Sequence, residues 1–221
     1  MPQLSTRGTI NRSRRTSYGL LPHRWFEEEA AERGAQRIAG LDEAGRGPLA
    51  GPVVAAAVLF SRTTTPPQGL RDSKLMSPAV REKICARILE TASGYGIGMV
   101  EPEVIDRINI LQATRMAMGM ACDQVTPRPD FLLIDGPIRL DVAIPQLSII
   151  KGDLYCASVS AAGILAKVTR DRIMMELHLQ YPMYGFDQHK GYPTEGHREA
   201  LRKHGPSPVH RLCFKGVKDP A

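Results

Sequence analysis

The run Val53-Val54-Ala55-Ala56-Ala57-Val58-Leu59-Phe60 is apolar at every position. A strand with one wet face alternates apolar and polar side chains, whereas one that is apolar throughout has both faces covered. The run therefore predicts a strand in the middle of a sheet, with helices packed above and below it. The neighbouring segments supply the rest of such a fold. Ile38–Asp42 predicts a second strand, Ile97–Val100 a third, Phe131–Ile134 a fourth and Leu147–Ile150 a fifth. Ser77-Pro78 is a cap followed by proline at the first helical position and opens a helix to about Thr91. Pro102–Asp123 and Tyr155–Gln180 read as two longer helices, with Met116, Met118 and Met120 as core filler in the first of them. Short helices and loops rich in His, Lys, Tyr, Gly and Pro follow, and no internal repeat interrupts the order. Strands mixed with helices in this way make the fold class α/β.

Composition narrows the function classes. The 221 residues suit one domain with appendages, long enough to bury a core without staples. Cys85, Cys122, Cys156 and Cys213 form no C-x-x-C pair and no cluster, which argues against zinc and against a disulfide scaffold. Buried, inert thiols in a reducing, cytoplasmic compartment are the expectation. No stretch approaches the ~18 apolar residues of a membrane span, and no apolar segment follows the basic N-terminus as a secretory signal requires. A formal net charge of +6 and a pI of about 9.3 suit a polyanionic partner, nucleic acid first, and equally suit a merely basic enzyme. Residues 1–26 contain Arg7, Arg12, Arg14, Arg15 and Arg24 but no Asp or Glu. Residues 1–36 are therefore expected to form a flexible basic arm that ends in a short acidic helix from Trp25 to Gln36. The arm could grip a phosphate backbone, serve as an organelle transit peptide or be an inert tail.

Chemistry is concentrated where apolar runs end. Asp42 and Glu43 close the first strand, and Gly45-Arg46-Gly47-Pro48 follows with a cation and a backbone free to approach a ligand. Asp135 and Asp153 stand in the same setting, each with glycine beside it. Functional side chains of α/β sheets collect at strand ends. Carboxylates crowded into a small site need a cation to neutralise them, and oxygen-only ligation selects Mg²⁺ or Mn²⁺. Four such acids suit metal-dependent phosphodiester chemistry. Each also has a plain structural reading. Asp135-Gly136-Pro137 is a turn signal, and Asp153 is in position to cap the long helix. Asp42 and Glu43, as strand neighbours, share a site only where the strand ends or bends. In Asp72-Ser73-Lys74 the lysine could reach a phosphate and the serine bond one, unless the segment is only a turn. His189-Lys190-Gly191-Tyr192 joins cationic groups to an aromatic ring, as nucleic-acid surfaces do and as solvated loops also do.

Taken in order, these motifs resemble bacterial type 2 ribonuclease H, ribonuclease HII. The resemblance runs from Gly40-Leu41-Asp42-Glu43-Ala44-Gly45-Arg46-Gly47-Pro48 through Asp72-Ser73-Lys74 and Asn109-Ile110-Leu111 to Ile134-Asp135-Gly136. Lys151-Gly152-Asp153, Ile164-Leu165-Ala166-Lys167-Val168-Thr169-Arg170-Asp171 and His189-Lys190-Gly191-Tyr192-Pro193-Thr194 complete it. Many motifs in order are far more specific than one. The resemblance covers roughly Ile38–Phe214. It implies a ribonuclease H-like mixed central sheet flanked by helices, with a helical C-terminal part, over residues 37–221. It implies Asp42, Glu43, Asp135 and Asp153 as the catalytic, metal-binding set for two divalent ions about 4 Å apart. It implies Gly45, Arg46, Gly47 and Tyr192 as readers of a ribonucleotide and its junction with DNA, beside Ser73 and Lys74. The partners it implies are RNA–DNA hybrids and duplex DNA with embedded ribonucleotides, with no membrane and a monomeric enzyme. Two positions depart from the family pattern: Gly163 and Cys213 each stand where serine is usual. Both are expected to lie clear of the acids.

Two rivals use the same fold. A non-catalytic hybrid-binding module would gain nothing from four acids facing phosphates. A DNA-only endonuclease would have no use for a 2′-hydroxyl reader. A third relative, ribonuclease HIII, carries a sizeable N-terminal domain that the short arm cannot supply.

Overall fold

The structure, a computed structural model, describes residues 24–70 and 72–219. The basic arm up to residue 23 lies outside the described residues. Five strands, β1 (Ile38–Ala44), β2 (Val53–Leu59), β3 (Gly94–Val100), β4 (Phe131–Asp135) and β5 (Gln146–Ile149), form one sheet in the order β3-β2-β1-β4-β5. The sheet is mixed: β1 runs antiparallel to β2, as β2 does to β3, while β4 is parallel to both β1 and β5.

Among the described residues, six α-helices complete the architecture: α1 (Trp25–Glu32), α2 (Pro78–Thr91), α3 (Pro102–Asp123), α4 (Ala157–Gln180), α5 (Phe186–His189) and α6 (Glu195–His204). The apolar run explains the layering. Val53, Ala55, Ala57 and Leu59 point to one face, where α3 covers them with Ala113, Ala117, Met118 and Ala121. Val54, Ala56 and Val58 point to the other, against Ile84 and Ile88 of α2 and Ala161, Leu165 and Val168 of α4. All seven β2 residues are buried. Gly40 lets α4 settle directly on β1, since a Cβ there would stand 2.3 Å from the Ser158 backbone.

The Ser77 hydroxyl caps α2 by accepting the Val80 N–H, at 3.4 Å. Elsewhere the structure corrects the sequence reading. The helix through Asn109 is broken there, because Asn109 has φ 68° and ψ 164° and its side-chain oxygen caps the second half through the Leu111 and Gln112 N–H groups. Only Met118 of the three methionines is core; Met116 and Met120 are exposed. Residues two apart on a helix differ by about 200° and cannot share a buried face. Cys213 is exposed, unlike the other three cysteines.

α1 packs on the body through Glu27 and Ala30. The Glu27 carboxylate accepts the Ser158 N–H at 2.9 Å and its hydroxyl at 2.7 Å, so α1 caps the first turn of α4 from outside. Among the described residues, no helix is long and apolar enough to cross a membrane.

Candidate active site

Pairing of β1 with β4 stops at Leu41, while pairing with β2 continues through Asp42, Glu43 and Ala44. The two acids therefore stand just beyond the last β1–β4 pair. Asp135 ends β4, and Asp153 sits in a 3-10 turn, Gly152–Leu154, just after β5. All four acids line one open cleft of about 450 Å³, together with Asp72, Ser73, Lys151, Ser160 and Gly163. Strand neighbours though they are, Asp42 and Glu43 both reach it.

Hydrogen bonds fix the frame. Asp135 Oδ1 accepts the Gly152 N–H at 2.7 Å, tying the end of β4 to the turn that carries Asp153. Asp42 Oδ1 accepts the Glu43 N–H at 2.7 Å. Arg46 Nη1 pairs with Glu43 Oε1 at 3.3 Å. Asp153 does not cap α4: Cys156 holds that position, and Glu27 takes the Ser158 N–H.

Burial first, and then the charges of Glu43, Asp135 and Asp153, push the Asp42 carboxyl well above the usual carboxylate range. A carboxyl in that field takes a proton or meets a cation. The oxygen-only donor set around it fits a hard divalent ion. Among the described residues, no three acid, His or Cys side chains form a closed metal cage.

Position 163 is where the sequence expectation fails. Gly163 abuts Asp42 directly: a Cβ on it would lie 2.2 Å from Asp42 Oδ2. Ser160 and Gly163, one turn apart on α4, form the helical wall of the cleft. Their small size was the available signal. Cys213, by contrast, bonds through its N–H to Asp106 at 2.9 Å and is remote from these contacts.

Of the expected substrate contacts, Ser73 lines the cleft. Lys74 belongs to the adjoining 3-10 turn, Ser73–Leu75, and its side chain lies outside the described structure. Gly45 is buried at φ 93°, whereas Arg46 and Gly47 are exposed. Tyr192 is 38% exposed, and its ring edge is 3.9 Å from where a Gly47 Cβ would stand. A continuous surface thus leads from Glu43 through Arg46 and Gly47 to Tyr192. Tyr184, by contrast with Tyr192, is buried and donates its hydroxyl to Gly205 O at 2.8 Å.

Two residues beneath this surface were assigned no role from the sequence, although Arg170 stands in one of the motifs that carry the resemblance. Arg170 and Arg211 are fully buried, and among the described residues neither forms an ion pair with a carboxylate. Burial pulls Arg170 down to about 10 and Arg211 to about 9, which leaves both charged at neutral pH.

Sheet order, flanking helices and an acid-lined cleft at the strand ends define a ribonuclease H-like nuclease. A family model described as ribonuclease HII matches residues 39–217. The ribonuclease HII of Pelobacter propionicus is 53% identical over 195 residues, 88% of this chain and 89% of that protein. That of Syntrophobacter fumaroxidans is 53% identical over 193 residues, 87% of this chain and 82% of that protein. The crystal structure of ribonuclease H2 from Pyrococcus horikoshii OT3 superposes with a TM-score of 0.69 at 25% identity, covering 82% of this chain and 95% of that one. The chain belongs to the ribonuclease HII family. It is a ribonuclease H, an endonuclease of RNA–DNA hybrids from a family dependent on divalent metal.

Proposed function

We propose that this chain cuts both the RNA strand of hybrids and the 5′ side of a single ribonucleotide embedded in duplex DNA. The observation that carries the reading is the surface joining the acid cleft to Tyr192 through Arg46 and Gly47. Asp42, Glu43, Asp135 and Asp153 would hold Mg²⁺ or Mn²⁺. When bound, two such ions supply an activated water and neutralise charge on the leaving oxygen. The chain's own residues do the positioning. Exposed backbone at Arg46 and Gly47 is suited to the 2′-hydroxyl, the group that marks a ribonucleotide. The Tyr192 ring packs on the next sugar, where a compact deoxyribose fits. The water oxygen bonds to phosphorus and the P–O3′ bond breaks, leaving a 5′ phosphate and a 3′ hydroxyl. The biological role that follows is removal of ribonucleotides from DNA, by a cytoplasmic monomer.

The test compares a labelled duplex bearing one ribonucleotide, its all-DNA counterpart and a long hybrid. Cutting 5′ of the ribonucleotide, with the all-DNA duplex untouched, is expected. Tyr192→Ala should weaken junction cutting more than hybrid cutting. Equal cutting of the all-DNA duplex would make the chain a DNA endonuclease and end the ribonuclease reading.

A further inference from the structure

Arg211 donates to the carbonyls of Gly45 at 2.6 Å, Pro48 and Gly51 at 2.9 Å, and Arg46 at 3.1 Å. Arg170 donates to those of Ala50, Pro52 and Lys190, each at 3.0 Å. Two buried guanidiniums thus gather backbone oxygens from both segments that border the substrate surface. Backbone oxygens replace the carboxylate partners that buried arginines ordinarily require.

A carbonyl turned inward has a consequence for the next residue. In a trans peptide the C=O and the following N–H point in opposite directions. Most N–H groups so turned away find acceptors. Leu49 N–H bonds to Gly191 O and Gly51 N–H to Val209 O, both at 2.8 Å. Gly191 N–H bonds to His189 Nδ1 at 3.1 Å. Position 52 is proline and has no N–H. The Arg46 and Gly47 N–H groups are different: they follow carbonyls held by Arg211, both residues are exposed, and among the described residues neither N–H has an acceptor.

We propose that Arg170 and Arg211 are positioning residues for ribonucleotide specificity, holding the Arg46 and Gly47 amides outward as paired donors to the 2′-hydroxyl oxygen. Neither guanidinium touches substrate. Each acts through the peptides it turns. The inference rests on the reading that Gly45–Gly47 faces the ribonucleotide. Lysine keeps the charge but presents a point rather than a planar fork, and cannot hold four carbonyls in fixed directions.

The test is Arg211→Lys, with Arg170→Lys as the second variant in case the first does not fold. Each is assayed well below its melting temperature on the single-ribonucleotide duplex and on a long hybrid. Arg211→Lys should lower the ratio of junction to hybrid kcat/KM at least tenfold, chiefly through KM on the junction substrate. The metal concentration for half-maximal activity should stay within twofold, since no guanidinium contact reaches an acid. Arg170→Lys should lower the ratio about threefold, because its carbonyls lie beside the loop rather than within it. A folded variant with the parent's ratio, or an equal loss on both substrates, would overturn the proposal. A parent enzyme that cuts the all-DNA duplex as fast as the ribonucleotide duplex would overturn the underlying reading instead, and the two failures are distinct.

Discussion

Asp42 turns its carboxylate into the space that Gly163 leaves empty: a Cβ at position 163 would fall 2.2 Å from Oδ2. That contact cannot survive any other residue, and the side chain able to yield is the aspartate. A serine there must drive Asp42 outward towards the cleft and bring a hydroxyl beside it. Gly163→Ser is therefore expected to lower the metal concentration for half-maximal cleavage several-fold. It should also raise stability by roughly 0.5 kcal/mol, because glycine is a poor mid-helix residue. Metal titrations of activity, paired with thermal melts, check both. An unchanged metal midpoint would show that the recessed position of Asp42 has no bearing on metal uptake.

Asp42→Asn should separate catalysis from folding. Loss of the charge should cut turnover by roughly 100-fold or more, beyond what outer-sphere partners of a metal ligand cost, while duplex binding persists. Stability should move the other way. The folded-state pKa of Asp42 is raised, so its ionisation opposes folding once the pH exceeds the unfolded value of about 3.9. Metal-free Asp42→Asn should therefore melt a few degrees higher than the parent at neutral pH, with the gain fading as the pH falls towards that value. Asp135→Asn should lose turnover as well, and Asp153→Asn likewise, since Cys156 and not Asp153 holds the N-cap of α4. Near-parental turnover of clean Asp42→Asn would remove the acid from the catalytic set.

The sheet was legible because its pattern is local. An all-apolar β2, a Ser-Pro opening for α2 and acids at the ends of apolar runs are readable residue by residue. The closeness of Gly163 to Asp42 was not, because it depends on how deeply α4 settles on β1 across Gly40. Arg170 and Arg211 were opaque for a related reason. Arginine in sequence suggests surface, and only tertiary structure shows backbone oxygens taking the place of carboxylates. The break at Asn109 hid in a continuous helical pattern, since φ 68° with ψ 164° is a conformation that an asparagine in sequence does not announce.

Histidines near Tyr192 set a pH window. His197 Nδ1 lies 3.0 Å from Tyr192 O, a carbonyl, so that nitrogen carries the proton and Nε2 is an acceptor. His210 Nε2, 3.0 Å away, then donates to it, while His210 Nδ1 accepts the Ser207 N–H at 3.0 Å. Both rings are neutral, and burial above all holds each at about 4. Between roughly 6.5 and 4 the unfolded chain binds protons that the folded chain refuses, so stability should fall as the pH drops through that interval. Above it, these rings contribute no slope. His210→Asn, which keeps an acceptor for Ser207, should melt lower at neutral pH but lose less on acidification. Melting curves from pH 7.5 to 4 decide, and a parental slope in the variant would exclude the pair as its source.

Arg24 is held on the body of the domain. Its guanidinium donates to Thr64 O at 3.0 Å and to Ser61 O at 3.1 Å, and Glu27 follows as the cap of α4. Residues 1–23 carry Arg7, Arg12, Arg14 and Arg15 without an acid. Two deletions should therefore behave differently. Removing residues 1–23 should leave the melting temperature and the metal midpoint alone while weakening duplex binding. If those arginines meet phosphates, the salt dependence should flatten by roughly 0.9 log units for each phosphate that the arm neutralises. Removing residues 1–36 takes Glu27 as well, and should cost a further ~1–2 kcal/mol of stability for the cap alone. Binding isotherms at several salt concentrations, read beside thermal melts, separate the two effects. An unchanged salt slope in the shorter deletion would leave the basic arm without a role on the nucleic acid.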